Sequence, residues 1–303
     1  MNNRAAGMAP DYTHKKFGEY GMLDEIKPAL EGTVHVKGVD IHYEYFGERG
    51  RPVMVILNGV AMETLSWYRL LPNVLPIMDV LLWDYRGQGQ STADDVPYSV
   101  EEAADHLVAI LDALQLEKHQ VNLLGVSTGS IIVAETLRRF QHRVNRAVMS
   151  GVLLQKALSF KLDSEFGIRM LRENRADMWA DSLYTKIFSD RFLTEFADAI
   201  PAMQYMLVMR YKNKEHALAR IIEAQSHYLW EIEQYRSQFE EVTTPILVLA
   251  GAEDKLVPPF YQKRVAAMFP RADLKQYPEC AHIPFFETPV RAFADSMRFL
   301  LAK

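Results

Sequence analysis

The sequence predicts an α/β protein with a mostly parallel sheet, helices on both faces and an inserted helical cap. Three observations carry this prediction. Short apolar runs bounded by turn residues alternate with segments of helical periodicity. A long block without such apolar runs then interrupts the alternation. Finally, the pentapeptide Gly125-Val-Ser-Thr-Gly129 lies between a predicted strand and a predicted helix.

Composition and charge narrow the function classes. The chain has 303 residues, of which 49% are hydrophobic and 24% charged, as in an ordinary globular protein. A net charge of −5 without a long basic tract argues against a nucleic-acid partner. The single cysteine, Cys280, cannot form an internal disulfide, and no apolar signal region or 18-residue apolar run is present. We therefore expect a cytoplasmic protein without an integral membrane segment.

The strands are predicted from two patterns. Residues 33–45 alternate apolar and polar side chains around Gly38, which indicates an antiparallel hairpin at the sheet edge. Uninterrupted apolar runs indicate strands buried on both faces. These runs are 53–57, 80–83, 121–124, 147–149 and 246–250.

The helices divide the chain into three parts. Ser99, three residues before Glu102, forms a capping box that predicts a helix ending near Leu114. Between 155 and 240 only helical segments rich in Met and aromatic residues occur. They are 163–174, 176–188, 191–199, 204–211 and 215–235, with Pro201 separating two of them. We predict an N-terminal extension over 1–30, a core over 31–154 and 241–303, and a helical cap over 155–240.

Ser127 is the candidate nucleophile. A Gly-x-Ser-x-Gly turn between strand and helix lifts the serine hydroxyl above the strand ends, and the small flanking residues permit the sharp turn. The alternative interpretation is an ordinary glycine turn without a catalytic role. The presence of the other catalytic groups elsewhere in the chain decides between the two interpretations.

A serine nucleophile needs a base and a residue that orients the base. In this fold the acid and the histidine follow the serine in that order, at later strand ends. Asp254 lies just beyond the run 246–250, and His282 is the only histidine after it. Glu253 is the alternative acid. The end of the run 147–149 offers no carboxylate.

Two backbone amides are expected to stabilise the developing oxyanion. The amide of Thr128 follows the nucleophile, and the loop after 53–57 contains Asn58-Gly59-Val60, from which we select Val60. We expect Asn58 and Gly59 to contribute to substrate binding, with Gly59 permitting close approach of the backbone.

No cofactor or metal is expected. Gly87 and Gly89 lack the third glycine of a dinucleotide site, no Cys/His cluster has zinc spacing, and no P-loop occurs.

With these residues in place, the chain resembles the α/β-hydrolase superfamily across its core. The resemblance rests on Asn58-Gly59, Asp84-Tyr-Arg-Gly-Gln-Gly-Gln-Ser91, Gly125-Val-Ser-Thr-Gly129, Gly251-Ala-Glu-Asp254 and Ala281-His282. It implies an eight-stranded sheet and the Ser127, Asp254, His282 triad.

Different motifs of this chain resemble different branches of the superfamily. Asn58-Gly59 followed by Met62 and Thr64 resembles the branch that makes or transfers hydroxyacyl chains from acyl carrier protein, whereas the motif beginning at Asp84 is typical of generic esterases.

The leading hypothesis is a serine hydrolase acting on an ester or thioester with an apolar acyl group. The alternatives are an acyltransferase using hydroxyacyl thioesters of acyl carrier protein or CoA, a C–C bond hydrolase, and a non-catalytic binding protein. A small acyl substrate is the expected partner. The sequence leaves acyl length and oligomeric state open.

Overall fold

The computed structural model describes residues 26–117 and 120–302. An eight-stranded sheet has the order β1-β2-β4-β3-β5-β6-β7-β8. The strands are β1 (Leu30–Val36), β2 (Val39–Phe46), β3 (Val53–Leu57), β4 (Asp79–Trp83), β5 (Val121–Val126), β6 (Arg146–Ser150), β7 (Ile246–Gly251) and β8 (Ala272–Tyr277). Strands β3 to β8 pair in parallel, and β2 pairs antiparallel with β1 and β4. The predicted sheet with its hairpin edge is confirmed.

Two cores cover the sheet, one on each face. Strand β3 contributes to both: Val55 packs into one core and Ile56 into the other, because successive side chains point to opposite faces. The first core contains helices α1 (Val100–Ala113) and α2 (Thr128–Phe140). The second contains a 3₁₀ helix, Thr64–Asn73, together with helix α11 (Pro289–Leu300).

The predicted capping box begins α1. The Ser99 hydroxyl accepts from the Glu102 N–H at 3.2 Å, and the Glu102 carboxylate accepts from the Ser99 N–H at 2.9 Å. Both bonds satisfy amides that have no acceptor within the helix.

The first five helices after β6 lie above the strand ends and have a small core of their own, which includes Leu171, Trp179 and Leu218. They are α3 (Leu158–Arg172), α4 (Ala176–Ile187), α5 (Asp190–Glu195), α6 (Ile200–Tyr211) and α7 (Glu215–Glu231). Pro201 lies in the first turn of α6 rather than between two helices, because that turn does not require a proline N–H.

The remaining helices complete the core. They are α8 (Arg236–Glu240), α9 (Pro259–Met268), the short α10 (Pro284–Glu287) and α11 (Pro289–Leu300). Of the predicted N-terminal extension, residues 1–25 lie outside the described part of the chain. No helix in the described ranges is long and apolar enough to cross a membrane.

Candidate active site

Ser127 lies in a sharp turn at the carboxyl end of β5. Its backbone has φ 54° and ψ −118°, an unfavourable conformation for a residue with a side chain. The Ser127 N–H donates to the Ser150 carbonyl at 2.8 Å, and the Ser127 carbonyl accepts from the Ser130 N–H at 2.8 Å. The surrounding structure thus holds a strained serine at the start of α2, as in a nucleophile elbow.

The two glycines of the pentapeptide are required by crowding. A Cβ on Gly129 would lie 2.1 Å from the Leu57 carbonyl oxygen, and one on Gly125 would lie 2.6 Å from the Gly129 carbonyl oxygen. Helix α2 therefore lies too close to β3 at Gly129, and too close to β5 at Gly125, for any larger residue.

Ser130, which was not predicted from the sequence, fixes the same turn. Its buried hydroxyl donates to the Gly125 and Ser150 carbonyls at 2.8 and 2.9 Å and accepts from the Ser150 N–H at 3.0 Å. These bonds join the elbow to the end of β6.

His282 and Asp254 form a buried pair. His282 Nδ1 lies 2.8 Å from Asp254 Oδ2, and both side chains are almost fully enclosed. This places the proton on Nδ1, because a carboxylate accepts and does not donate. The structure therefore brings Asp254, rather than the alternative Glu253, to the histidine.

Asp254 receives three further hydrogen bonds. Its Oδ1 accepts from the Leu256 and Val257 amides at 3.0 and 2.7 Å, and its Oδ2 also accepts from Gln262 Nε2 at 3.0 Å. A carboxylate held in this way has one orientation toward the imidazole. Gln262, on α9, is a second residue that the sequence analysis did not identify.

The other imidazole nitrogen is free. In the described part of the chain, His282 Nε2 is buried and has no hydrogen-bond partner, and Ser127 and His282 line the same cavity. The structure thus contains no hydrogen bond between Ser127 Oγ and this nitrogen. Such contacts are often long in ligand-free enzymes.

The Val60 peptide is held by Gln88. The Gly59 carbonyl accepts from Gln88 Nε2 at 3.1 Å and from the Met62 N–H at 3.3 Å. In a trans peptide the carbonyl and the following N–H point in opposite directions, so the Val60 N–H faces away from Gln88. Val60 and Gly59 line the cavity, and a Cβ on Gly59 would lie 3.5 Å from that of Ser127.

The amides of Val60 and Thr128 donate to no acceptor within residues 26–117 and 120–302. Thr128 is the first residue of α2, where amides lack acceptors within the helix. Two free donors next to a serine hydroxyl can stabilise negative charge on a carbonyl oxygen.

Asn58 lies apart from the cavity wall. Its side chain is buried, donates to the Trp83 carbonyl at 2.9 Å and accepts from the Trp67 indole N–H at 2.7 Å. Both ends of the amide are therefore engaged in joining β3, β4 and the 3₁₀ helix. Gly59, unlike Asn58, lines the cavity.

Asp84, the first residue of its motif, holds neighbouring segments together, as Asn58 does. Asp84 accepts from the Thr64 and Gln90 amides at 2.9 and 3.0 Å. Burial raises the pKa of Asp84, and these two bonds oppose that effect. The carboxylate holds the loop after β4 against the 3₁₀ helix.

The cavity between cap and core has a volume of about 480 Å³, within the range of small-molecule sites. Its wall is mostly apolar and includes Trp179, Leu183, Phe188, Met203, Leu207 and Phe286. The polar residues that line it are Ser66, Ser127, Asp163, Ser164, Gln225 and His282, together with Arg69 and Arg210, which are exposed and thus lie toward the rim.

A histidine and two glutamates meet at the β1–β2 edge, away from this cavity. The oxygens of Glu31 and Glu44 and a ring nitrogen of His42 lie within 4.8 Å of one another. Glu44 already accepts from the Thr64 and Tyr68 hydroxyls, both at 3.0 Å. Burial alone would lower the pKa of His42, but the hydrogen bond to Glu44 and nearby carboxylates raise it. Hydrogen bonds thus satisfy the two buried residues, His42 and Glu44, and the Glu31 side chain is exposed.

A capped, mostly parallel sheet with a serine in a strained turn after β5 is the architecture of an α/β hydrolase. A family model described as alpha/beta hydrolase fold matches residues 52–289, and the chain belongs to this family.

Named relatives are hydrolases. The chain is 22% identical over 227 residues to 3-oxoadipate enol-lactonase 2 of Acinetobacter baylyi, covering 74% of this chain and 80% of that protein. It is 24% identical over 237 residues to 2-hydroxy-6-oxo-2,4-heptadienoate hydrolase of Pseudomonas putida, covering 77% and 83%. The crystal structure of MGS-M2, an alpha/beta hydrolase enzyme from a deep-sea metagenome library, superimposes with a TM-score of 0.83 at 23% identity. That match covers 90% of this chain and 98% of MGS-M2. The protein is therefore an α/β-fold hydrolase, against the binding-protein alternative.

Proposed function

We propose that the protein is a serine hydrolase that cleaves an ester or thioester with an apolar acyl group. The observation that carries the proposal is the 2.8 Å contact between His282 and Asp254 beside a strained serine, at the inner end of an apolar cavity. Burial of two polar side chains in this arrangement is costly unless they are paired, so their placement is informative about chemistry.

In this mechanism Ser127 Oγ attacks the acyl carbonyl carbon while His282 Nε2 takes its proton. The tetrahedral oxyanion accepts from the Val60 and Thr128 amides. Asp254 keeps the Nδ1 proton in place and stabilises the imidazolium. His282 then gives the proton to the departing alkoxide or thiolate, which leaves an acyl-enzyme on Ser127.

Water completes the cycle. His282 takes a proton from the water, whose oxygen attacks the acyl-enzyme carbonyl, and then returns that proton to Ser127 Oγ as the ester bond breaks. The products are a carboxylic acid and the alcohol or thiol. The wall supports an apolar acyl group, because most of the residues that line the cavity are apolar.

The test is Ser127→Ala assayed with p-nitrophenyl butanoate. We expect kcat to fall by about 10⁴-fold or more, and we expect a fluorophosphonate probe to add covalently to Ser127. Ser164→Ala is the matched control, because Ser164 is another serine in the cavity wall. Full turnover by Ser127→Ala, or labelling at another residue, would contradict the proposal.

Acyl transfer from a thioester of CoA or acyl carrier protein is a second candidate, favoured by Arg69. This cavity-lining arginine is exposed, and no carboxylate in the described ranges pairs with it. A guanidinium at the cavity rim suits a phosphate of the pantetheine arm. Arg210, by contrast, pairs with Glu63 at 2.8 Å.

Two comparisons test this candidate. Butanoyl-CoA should be a better substrate than the N-acetylcysteamine thioester of the same acid, and Arg69→Ala should remove that preference. Adding a hydroxy acid should divert product from free acid to ester. Equal rates for the two thioesters, with free acid only, would leave hydrolysis as the function.

A further inference from the structure

One cap residue contacts the nucleophile turn directly. Gln225, on α7, lines the cavity and is 6% exposed. Its side-chain oxygen accepts a hydrogen bond from the Thr128 hydroxyl, across 97 positions of the sequence. The amide is therefore oriented by the residue that follows Ser127.

The other end of this amide has no acceptor. Gln225 Nε2 carries two N–H donors, and none of the hydrogen bonds within residues 26–117 and 120–302 uses them. Gln225 Nε2 is not among the fully enclosed side-chain atoms without a partner, so these donors are accessible from the cavity that Gln225 lines. In a wall that is otherwise mostly apolar, a bound molecule can supply the missing acceptor.

Covalent geometry places this donor near the reacting carbonyl. The Thr128 amide is a proposed oxyanion donor, and its hydroxyl is three bonds away in the same residue. Gln225 bonds to that hydroxyl, so its Nε2 lies only a few ångströms further along the cavity. An acceptor that reaches this donor lies within a few bonds of the scissile carbonyl.

Charge decides which acceptor fits. Gln225 is neutral. Of the ionisable residues that line the cavity, His282 pairs with Asp254, Asp163 with Lys186 and Arg210 with Glu63, and Arg69 is exposed. A carboxylate placed beside Gln225 would be desolvated without a cation, which is costly. A hydroxyl or oxo oxygen has no such penalty.

We propose that Gln225 is a specificity-determining residue that selects acyl groups carrying a hydroxyl or oxo oxygen close to the scissile carbonyl. The inference rests on the proposed function and narrows its substrate class. Such a substrate places apolar carbons against the cavity wall and one neutral oxygen on the Gln225 amide.

Three p-nitrophenyl esters test this assignment: 3-hydroxybutanoate, 3-methylbutanoate and butanoate. The hydroxyl and methyl compounds have nearly the same shape and differ in hydrogen bonding. We expect a kcat/KM for the hydroxy ester about tenfold or more above that for the methyl ester, as for one buried hydrogen bond. In Gln225→Met this ratio should fall to within threefold of one, because the hydroxy ester loses a hydrogen bond that the methyl ester and butanoate do not make.

The control is Gln234→Met, which replaces an exposed glutamine beyond the end of α7 and should leave the ratio unchanged. Gln225→Ala provides a second variant, with circular dichroism to confirm folding. A wild-type ratio near one, or an equal loss on all three esters in both Gln225 variants, would overturn the assignment. Failure of the proposed function is seen separately, as absent fluorophosphonate labelling of Ser127 and absent butanoate turnover in the wild type.

Discussion

Gly151 packs directly against the imidazole of His282. A Cβ at position 151 would lie 2.6 Å from His282 Cε1 and 2.9 Å from Nδ1, and Gly151 itself has φ +64°. The end of β6 therefore forms one side of the histidine position, and only a residue without a side chain leaves the ring its place beside Asp254.

Gly151→Ala should lower kcat for p-nitrophenyl butanoate by about 10²-fold or more, because the added methyl group must displace the imidazole. Misplacement of a catalytic group by about 1 Å costs on that order. The measurement is kcat at saturating ester.

Gly38→Ala is the matched control for backbone strain. Gly38 has φ +84°, and a Cβ there would meet nothing within 4 Å. Both variants introduce alanine at positive φ, but only one contacts His282. If Gly151→Ala and Gly38→Ala had the same kcat, the contact would have no catalytic consequence.

Gln262→Met should reduce kcat by about tenfold or more. The substitution keeps the side-chain length but removes the 3.0 Å hydrogen bond to Asp254 Oδ2, and hydrogen bonds to charged groups contribute about 1.5–3 kcal/mol. Gln262 also donates to the Val257 carbonyl at 2.9 Å. Pre-steady-state kinetics with p-nitrophenyl butanoate would show whether the acylation step is slowed.

A control keeps this effect apart from general destabilisation. Gln234→Met makes the same substitution at an exposed position away from Asp254 and should leave acylation unchanged. An unaltered burst rate in folded Gln262→Met would show that the backbone amides of Leu256 and Val257 orient Asp254 without help.

The sequence predicted the sheet well because buried strands are almost purely apolar. It did not predict β8, whose residues Ala272–Tyr277 carry Asp273, Lys275 and Gln276. An edge strand has one neighbour and a partly exposed surface, so it needs no apolar run. Only the family resemblance supplied the eighth strand.

The sequence predicted those site residues that belong to a recognisable motif. Ser127, Asp254 and His282 follow a chain order and lie at strand ends, which a sequence can show. Gln225 and Gln262 make their contacts with Thr128 and Asp254 only after folding. Gln225 lies 97 positions from the threonine that it contacts, and no local pattern distinguishes it from other helical glutamines.

Stability should depend on pH through His106. This histidine is 1% exposed in α1, and neither ring nitrogen has a partner within the described residues. Burial, with Lys37 and Arg86 nearby, lowers its pKa to about 4. Between that value and the ordinary value near 6.5 the unfolded chain binds the proton and the folded chain does not. Stability is therefore full above pH 6.5 and falls as the pH falls toward 4.

The contribution of His106 is up to about 3 kcal/mol, since one pKa unit corresponds to about 1.4 kcal/mol. Urea unfolding of wild type and His106→Met at pH 7 and pH 4.5 measures it: the difference between the two pH values should be smaller in the variant. His227→Met, at an exposed histidine of α7, should behave as wild type. Parallel pH profiles for wild type and His106→Met would contradict the prediction.

Glu287 should couple the cap to the loop that carries His282. Its Oε1 accepts from the Ala281 amide at 2.9 Å and from the Ser189 amide at 3.2 Å, and its Oε2 accepts from the Ser189 hydroxyl. Glu287→Gln replaces one acceptor with a donor facing donors, so we expect a loss of about 1–3 kcal/mol in unfolding free energy. Because Ala281 precedes His282, kcat for p-nitrophenyl butanoate should fall as well.

Glu279→Gln, at an exposed glutamate of the same loop, should change neither the unfolding free energy nor kcat. Loss of stability with kcat unchanged would show that Glu287 supports the cap alone.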